Sequence, residues 1–312
     1  MTAPIALLDS ASLYFRSFFA LPDSMRAPDG TPVNAVRGFA DTVARILTER
    51  RPRRLVACLD ADWRPQFRVD LLPSYKAHRV AEELPGPDLE VVPDTLTPQV
   101  PIILELLEAV GLATAEAAGF EADDVIGTLT MRESADPVEV ITGDRDLFQL
   151  VRVSPTPASV IYVGKGWAKA EVLGPAEIAA RYALPEADAG DAYADMSILR
   201  GDPSDGLPGV AGIGEKTAAT LISRFGSLSG LLQATLDGNP DVPARARASL
   251  HAAAEYLAVA PIVVRVAADA PVEFSRSDLV PAKPVDPERV AQLSERWNLG
   301  RSVDRLLAAL PA

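Results

Sequence analysis

Nine carboxylates, Asp9, Asp60, Glu121, Asp123, Asp124, Asp144, Asp146, Asp202 and Asp205, are spread over the first two thirds of a 312-residue chain, most of them at predicted strand mouths or helix starts. So many like charges in one cleft would need divalent cations to neutralise them. If they converge, the chemistry they support is metal-dependent phosphoryl transfer. Asp9, Asp60 and Asp144 each follow a separate apolar run, the place where open α/β sheets bind their ligands. A solvated surface acid rarely follows three buried strands in turn. Glu121, Asp123 and Asp124 open a helix instead, where the helix dipole favours negative charge. Taken alone, that triplet is more often a capping cluster.

Oxygen is the only plentiful donor. The single cysteine, Cys58, sits inside the apolar run 55–59 and reads as a small core residue. It excludes an intrachain disulfide and a cysteine-rich zinc site. The two histidines, His78 and His251, are isolated. An ion held here would be Mg²⁺ or Mn²⁺. The net charge of −13 ordinarily argues against nucleic acid, but without the nine acids the balance is close to neutral. Local basic groups then matter more: Arg50, Arg51, Arg53 and Arg54; Lys76 with His78 and Arg79; Lys165 with Lys169.

The elements that must position these residues follow from periodicity. Apolar runs at 5–8, 55–59, 112–117 and 138–142 read as strands, and 34–48, 95–110 and 121–131 read as helices. Such alternation predicts an α/β fold, a mostly parallel central sheet flanked by helices. Residues 1–173 are expected to form this core. Within it, periodicity breaks between Pro73 and Pro98, a segment that carries Pro85, Pro87 and Pro93, holds Tyr75, Lys76 and Arg79, and is expected to include at least one short helical stretch. That stretch is either a mobile functional segment above the sheet or a solvated surface loop. Residues 174–312 are expected to be helical, with helices at 244–258, 287–297 and 301–310 and a short strand at 263–266.

The run 200–218 is the most specific segment. It joins a helix ending near Leu199 to another starting at Glu215, with Gly209, Gly212 and Gly214 allowing tight turns and close backbone approach. The Gly214 and Glu215 amides with Lys216 and Thr217 at a helix start suit a DNA phosphate, and the whole of 190–226 reads as a helix-hairpin-helix. The N-terminus lacks a secretory signal and no apolar run reaches membrane-spanning length, so a cytoplasmic, nucleoid-associated monomer is expected.

Together these stretches resemble the bacterial 5′ nuclease family, the flap endonucleases and 5′-3′ exonucleases similar to the N-terminal nuclease domain of DNA polymerase I. The matching segments are Leu7–Ser10 with Arg16, Cys58–Asp60, Phe67–Arg68, Tyr75–Arg79, Gly119–Gly127, Thr142–Asp146 and the glycine-rich run. The resemblance implies a PIN-like core, a threading arch at 67–98 and a site for two or three metal ions. Asp9, Asp60, Glu121 and Asp123 would hold the first ion and Asp144, Asp146 and Asp205 the second, with Asp124 and Asp202 acting through water or on a further ion. Lys76 and Arg79 would reach the scissile phosphate and Arg16 the 5′-strand phosphate. Tyr75 would either stack on a displaced base or anchor the arch. The Val210 and Ile213 carbonyls would bind K⁺, although ordinary turns explain the glycines as well. One departure is Gly206, where the family usually carries Asn.

The implied substrates are DNA with 5′ flaps, nicks or 5′ ends, and RNA–DNA hybrids at primers, in replication and repair. With no polymerase segment after Ala312, a stand-alone nuclease is expected. Two competitors differ in class. A branched-DNA binding protein would bind flaps without cutting them, and a phosphatase built on Asp144 and Asp146 would leave the hairpin run without purpose.

Overall fold

Five consecutive buried residues, Ile5–Asp9, form β1 at the centre of the computed structural model, which describes residues 3–80 and 92–311. β1 pairs in parallel with β2 (Arg54–Cys58) on one side and β4 (Val138–Thr142) on the other, with Ile5 opposite Arg54 and Val138. β3 (Ala113–Glu116) and β5 (Ala158–Tyr162) extend the parallel sheet outward. Antiparallel edges, β6 (Glu171–Leu173) and β7 (Glu273–Phe274), complete the order β6-β5-β4-β1-β2-β3-β7.

The two-residue side-chain period of a strand sends alternate residues to opposite faces. Ile5, Leu7, Val56, Cys58 and Val140 therefore enter one core, while Ala6, Leu8, Leu55, Ala57 and Ile141 enter the other. The first core is covered by α5 (Ala122–Arg132), α7 (Ala189–Arg200) and α8 (Glu215–Phe225). The second is covered by α2 (Asn34–Arg50), α4 (Gln99–Val110), α12 (Pro287–Arg296) and α13 (Gly300–Ala308). Both faces of the sheet are buried, which is why its strands read as continuous apolar runs. The C-terminal segment thus returns to the core, adding β7 to β3 and laying α12 and α13 on α4 and α2.

Several boundaries differ from the sequence reading. Residues 263–266 are no strand: α11 (Ala254–Val264) runs through Val263, which packs with Tyr75 and Leu207, so tertiary packing overrides a β-branched run. The helix expected at 244–258 is two, α10 (Ala244–Ala252) and α11, divided at Ala253. The helix expected from residue 95 begins at Gln99, directly after Pro98. Of the segment 67–98, the structure places α3 (Gln66–Leu71) and a 3₁₀ turn, Ala77–Arg79. The part of the expected arch at 81–91, with Pro85 and Pro87, lies outside the described residues. Among the described residues no helix is long and apolar enough to cross a membrane.

Candidate active site

Because β1, β2 and β4 run parallel, their carboxyl ends open on the same side of the sheet, and each end delivers an acid there. Asp9 closes β1 and also caps α1 (Ser10–Ala20): its Oδ1 accepts from the Ser12 amide at 3.1 Å and its Oδ2 from Thr142 Oγ1 at 2.6 Å. Thr142 in turn accepts from the Asp144 amide at 2.8 Å, so one hydroxyl ties the mouths of β1 and β4 together. Asp60, two residues beyond β2, accepts from the Ala122 amide at 2.8 Å and fixes the start of α5, which carries Asp123. Asp146 donates its amide to Asp144 Oδ1 at 2.9 Å.

The result is a cleft of about 710 Å³ whose wall includes Asp9, Asp60, Glu121, Asp123, Asp144, Asp146 and Asp202. Asp205 lies just behind, in a small recess that shares Asp146 and Asp202. Lys76, Arg79, Arg145 and Arg200 line the same cleft, with Phe15 and Trp63. The structure thus gathers eight of the nine candidate acids around one cavity system.

Burial makes the acids costly to ionise. Asp9 is pushed up to about 7, first by burial and then by the charges of Asp144 and Asp60, against the opposing Thr142 and Ser12 hydrogen bonds. Asp123 is raised well above the carboxylate range by burial, Asp9 and Asp144. Burial with Asp144 and Asp205 does the same to Asp146. Asp205 is raised by burial despite Lys76 and Arg79.

Glu121 is the hub between this cluster and the foot of the expected arch. Its Oε1 pairs with Lys76 Nζ, and its Oε2 accepts from Tyr75 Oη at 2.6 Å and Arg68 Nη1 at 2.8 Å. Burial opposes the Lys76 charge, yet Glu121, Tyr75 and Asp205 outweigh it and raise the pKa of the ammonium. Arg79 pairs with Asp205 at 2.7 Å. Both arch cations therefore rest on candidate metal ligands.

Three candidates, Asp124, Arg16 and Gly209, are placed differently from the sequence reading, and Tyr75 takes the second of the two roles open to it. Asp124 is fully buried and faces away from the cleft, its carboxylate held by Arg68 at 2.7 Å through both oxygens. It also accepts from the Glu121 amide at 3.2 Å, so within the helix-start triplet capping explains Asp124, while Asp123 faces the cleft. Arg16 does not line the cleft. Its guanidinium donates to the Gly164 carbonyl and crosses Gly143, lining a separate pocket against α2. Tyr75 is 5% exposed and packs with Leu207 and Val263, which leaves it as an anchor with no face for a base. Gly209 (φ +63°) is buried, and a Cβ there would stand 2.5 Å from the Arg200 carbonyl; its role is close approach of the hairpin to α7.

The remaining hairpin candidates face solvent: Gly212, Gly214, Lys216 and Thr217 are exposed at the start of α8. Val210 and Ile213 bury their side chains, and the Val210 carbonyl accepts from the Ile213 amide at 2.9 Å. Sequence reasoning missed Arg68, Arg145, Arg200, Phe15 and Trp63. The last two carry no charge pattern. Arg68 belongs to the matching Phe67–Arg68 pair, yet nothing in its spacing announces a buried cation.

The donor set suits hard divalent cations, being all carboxylate, and mutual repulsion among buried acids is what such ions relieve. Among the described residues no three His, Cys, Asp or Glu side chains are drawn together closely enough to hold an ion as they stand. Two of the acids, Glu121 and Asp205, are instead engaged by Lys76 and Arg79.

Known proteins agree with this architecture. Residues 4–183 match the family profile described as 5′-3′ exonuclease, N-terminal resolvase-like domain, and residues 189–288 match 5′-3′ exonuclease, C-terminal SAM fold. A 5′-3′ exonuclease of Mycobacterium tuberculosis is 58% identical over 99% of this chain and 98% of its own length. DNA polymerase I of Mycobacterium leprae is 34% identical over 99% of this chain, which spans 32% of that protein. Among solved structures, a bacteriophage T5 flap endonuclease in complex with DNA and metal ions superposes with a TM-score of 0.65 at 18% identity, covering 98% of both chains. Human GEN1 in complex with Holliday junction DNA superposes with a TM-score of 0.62 at 16% identity, over 98% of this chain and 71% of that one.

Proposed function

The chain belongs to the 5′-3′ exonuclease family, and from that premise we propose that it is a structure-specific 5′ nuclease. It would hydrolyse phosphodiesters at 5′ flaps, nicks and 5′ ends of DNA, and at RNA–DNA hybrids, with divalent cations, in replication and repair. The observation that carries this reading is the single cleft in which seven carboxylates face Lys76 and Arg79.

Each group has a distinct task. Asp9, Asp60, Glu121 and Asp123 form one candidate ligand set, and Asp144, Asp146 and Asp205 another, with Asp202 beside the second. Mg²⁺ or Mn²⁺ bound there would supply charge to the reacting oxygens and acidify a water. Lys76 and Arg79, freed from Glu121 and Asp205, meet the scissile phosphate and stabilise charge developing on it. Trp63 and Phe15 give the cleft aromatic walls on which an unpaired base can stack. Gly212, Gly214, Lys216 and Thr217 at the α8 start hold a backbone phosphate of the duplex. A K⁺ at the Val210 and Ile213 carbonyls would reinforce that contact. The core through residue 173 would supply most of the chemistry, and the helical region after it would add Asp202 and Asp205 and grip the duplex.

The test is cleavage of a 5′-labelled flap duplex with Mg²⁺ or Mn²⁺, mapped to the nucleotide. Cutting at the junction that stops in EDTA is expected. Tight flap binding with no cutting under any divalent ion would leave a branched-DNA binding protein instead.

The raised carboxylates give a second expected result. An acid whose folded pKa lies above its ordinary value contributes stability below that ordinary value, and the contribution is lost as pH rises through the folded pKa. For Asp9 that window runs from 3.8 to about 7, and Asp123, Asp146 and Asp205 act in the same direction. The metal-free protein is therefore strained at pH 8, where an ion binds carboxylates already ionised. Thermal denaturation should show Mn²⁺ raising Tm by about 5 °C or more at pH 8 and by less than half that at pH 5.5. Equal shifts at both pH values would separate metal binding from these acids.

A further inference from the structure

Residues 74–79, the foot of the expected arch, lie directly on the turn Pro203–Asp205 and its cap, Gly206. The Lys76 amide donates to the Asp205 carbonyl at 3.0 Å and Ser74 Oγ to the Gly206 carbonyl at 2.8 Å. Arg79 donates to the Ser204 carbonyl at 2.9 Å and to Asp205 Oδ1 at 2.7 Å. Gly206 makes the approach sterically allowed. Its φ is +71°, and a Cβ built there would stand 1.9 Å from the Ser74 carbonyl oxygen. No side chain fits that gap, so any other residue must push the foot away. Lys76 itself is held at φ +48°, a left-handed conformation that a non-glycine residue keeps only when its surroundings impose it.

We propose that Gly206 and Ser74 are positioning residues: they seat the arch foot on the hairpin turn and so aim Lys76 and Arg79 into the cleft. The inference rests on the reading that those two cations meet the scissile phosphate. A displacement of about 1 Å at a reacting centre is enough to cost ~10²-fold in rate. The closest contact of an added Cβ calls for a shift of that size. The foot and the hairpin come from segments about 130 residues apart, and one glycine sets the distance between them.

The experiment has two arms. Trypsin can cut after Lys76 and after Arg79, and a seated foot resists it. In Gly206→Ala, fragments ending at those residues, read by mass spectrometry, should appear about tenfold faster than in the unchanged chain, with far-UV circular dichroism preserved. Single-turnover flap cleavage by Gly206→Ala should slow about 10- to 100-fold while KM stays within about threefold. Gly206→Ala added to the pair Lys76→Ala and Arg79→Ala should be no slower than that pair alone, because all three changes remove the contribution of the same two cations. Ser74→Ala, which loses one hydrogen bond from an exposed side chain, should shift both readouts the same way by less, and it carries the comparison if Gly206→Ala does not fold.

Unchanged tryptic protection with unchanged cleavage would overturn the proposal, and so would a further cost of Gly206→Ala in the variant that lacks both Lys76 and Arg79. Should Lys76→Ala cleave normally, the phosphate role of Lys76 fails, while tryptic protection still decides whether Gly206 seats the foot.

Discussion

Asp144→Asn is expected to bind a 5′-flap duplex as the unchanged chain does and to cleave it about 10²- to 10³-fold more slowly. The local structure explains why binding and folding survive. Asp144 is exposed, and its two structural hydrogen bonds are a backbone amide given to Thr142 Oγ1 and an Oδ1 that accepts from the Asp146 amide. An asparagine oxygen accepts the second bond equally well and the first uses no side chain. What disappears is a full negative charge at the mouth of β4, facing Asp9, Asp123 and Asp146 across the cleft. That charge helps hold a divalent ion, and an amide coordinates Mg²⁺ far more weakly than a carboxylate. Binding measured by fluorescence anisotropy in EDTA should stay within about threefold, since removing a like charge can only reduce repulsion of the phosphates. If cleavage stays within tenfold of the unchanged chain, the carboxylate cluster is not where the reaction occurs.

Much of this site was legible because it obeys periodic rules. β4 matches its apolar run at both ends, and β1 and β2 lie within one residue of theirs, so an acid one to three residues past an apolar run is already an acid at a sheet mouth. Asp9, Asp60 and Asp144 follow from that alone. The Glu215 start of α8 was equally visible, since glycines mark where a helix cannot continue. The edges were harder. β7 is two residues long, and its pairing with β3 joins segments more than 150 residues apart, which no local pattern encodes.

Within the site, side-chain direction was the illegible quantity. Asp123 and Asp124 are neighbours in one helical turn, about 100° apart around the axis, so one can face the cleft only if the other turns into the protein. Which one turns depends on a cation waiting behind, and Arg68 comes from a different helix. Arg16 presents the same difficulty: its place after Asp9 suggests the cleft, but the Gly164 carbonyl on the far side of β4 captures it. Long cationic side chains reach too far for spacing to assign them.

Arg68→Ala should then be the most destabilising single change in the chain, at about 3–5 kcal/mol. Arg68 is 3% exposed and spends all three guanidinium nitrogens: Nη1 on Asp124 and Glu121, Nη2 on Asp124 and the Arg265 carbonyl, and Nε on the Val263 carbonyl. Its truncation leaves the Asp124 carboxylate, fully buried, with only the Glu121 and Ala267 amides. Two amide hydrogen bonds do not offset the desolvation of a buried anion, whereas a bidentate guanidinium does. A loss of about 3–5 kcal/mol is roughly a fifth or more of the stability of an ordinary domain. Arg68→Lys keeps the charge but not the fork, and should cost about half as much. Neutralising the orphan should restore stability, so Arg68→Ala with Asp124→Asn is expected to melt higher than Arg68→Ala alone. Chemical denaturation of the metal-free chain checks both. A loss below 1 kcal/mol, or strictly additive costs in the double variant, would show that the pair is a surface-like contact and not the bolt that holds Glu121 toward the cleft.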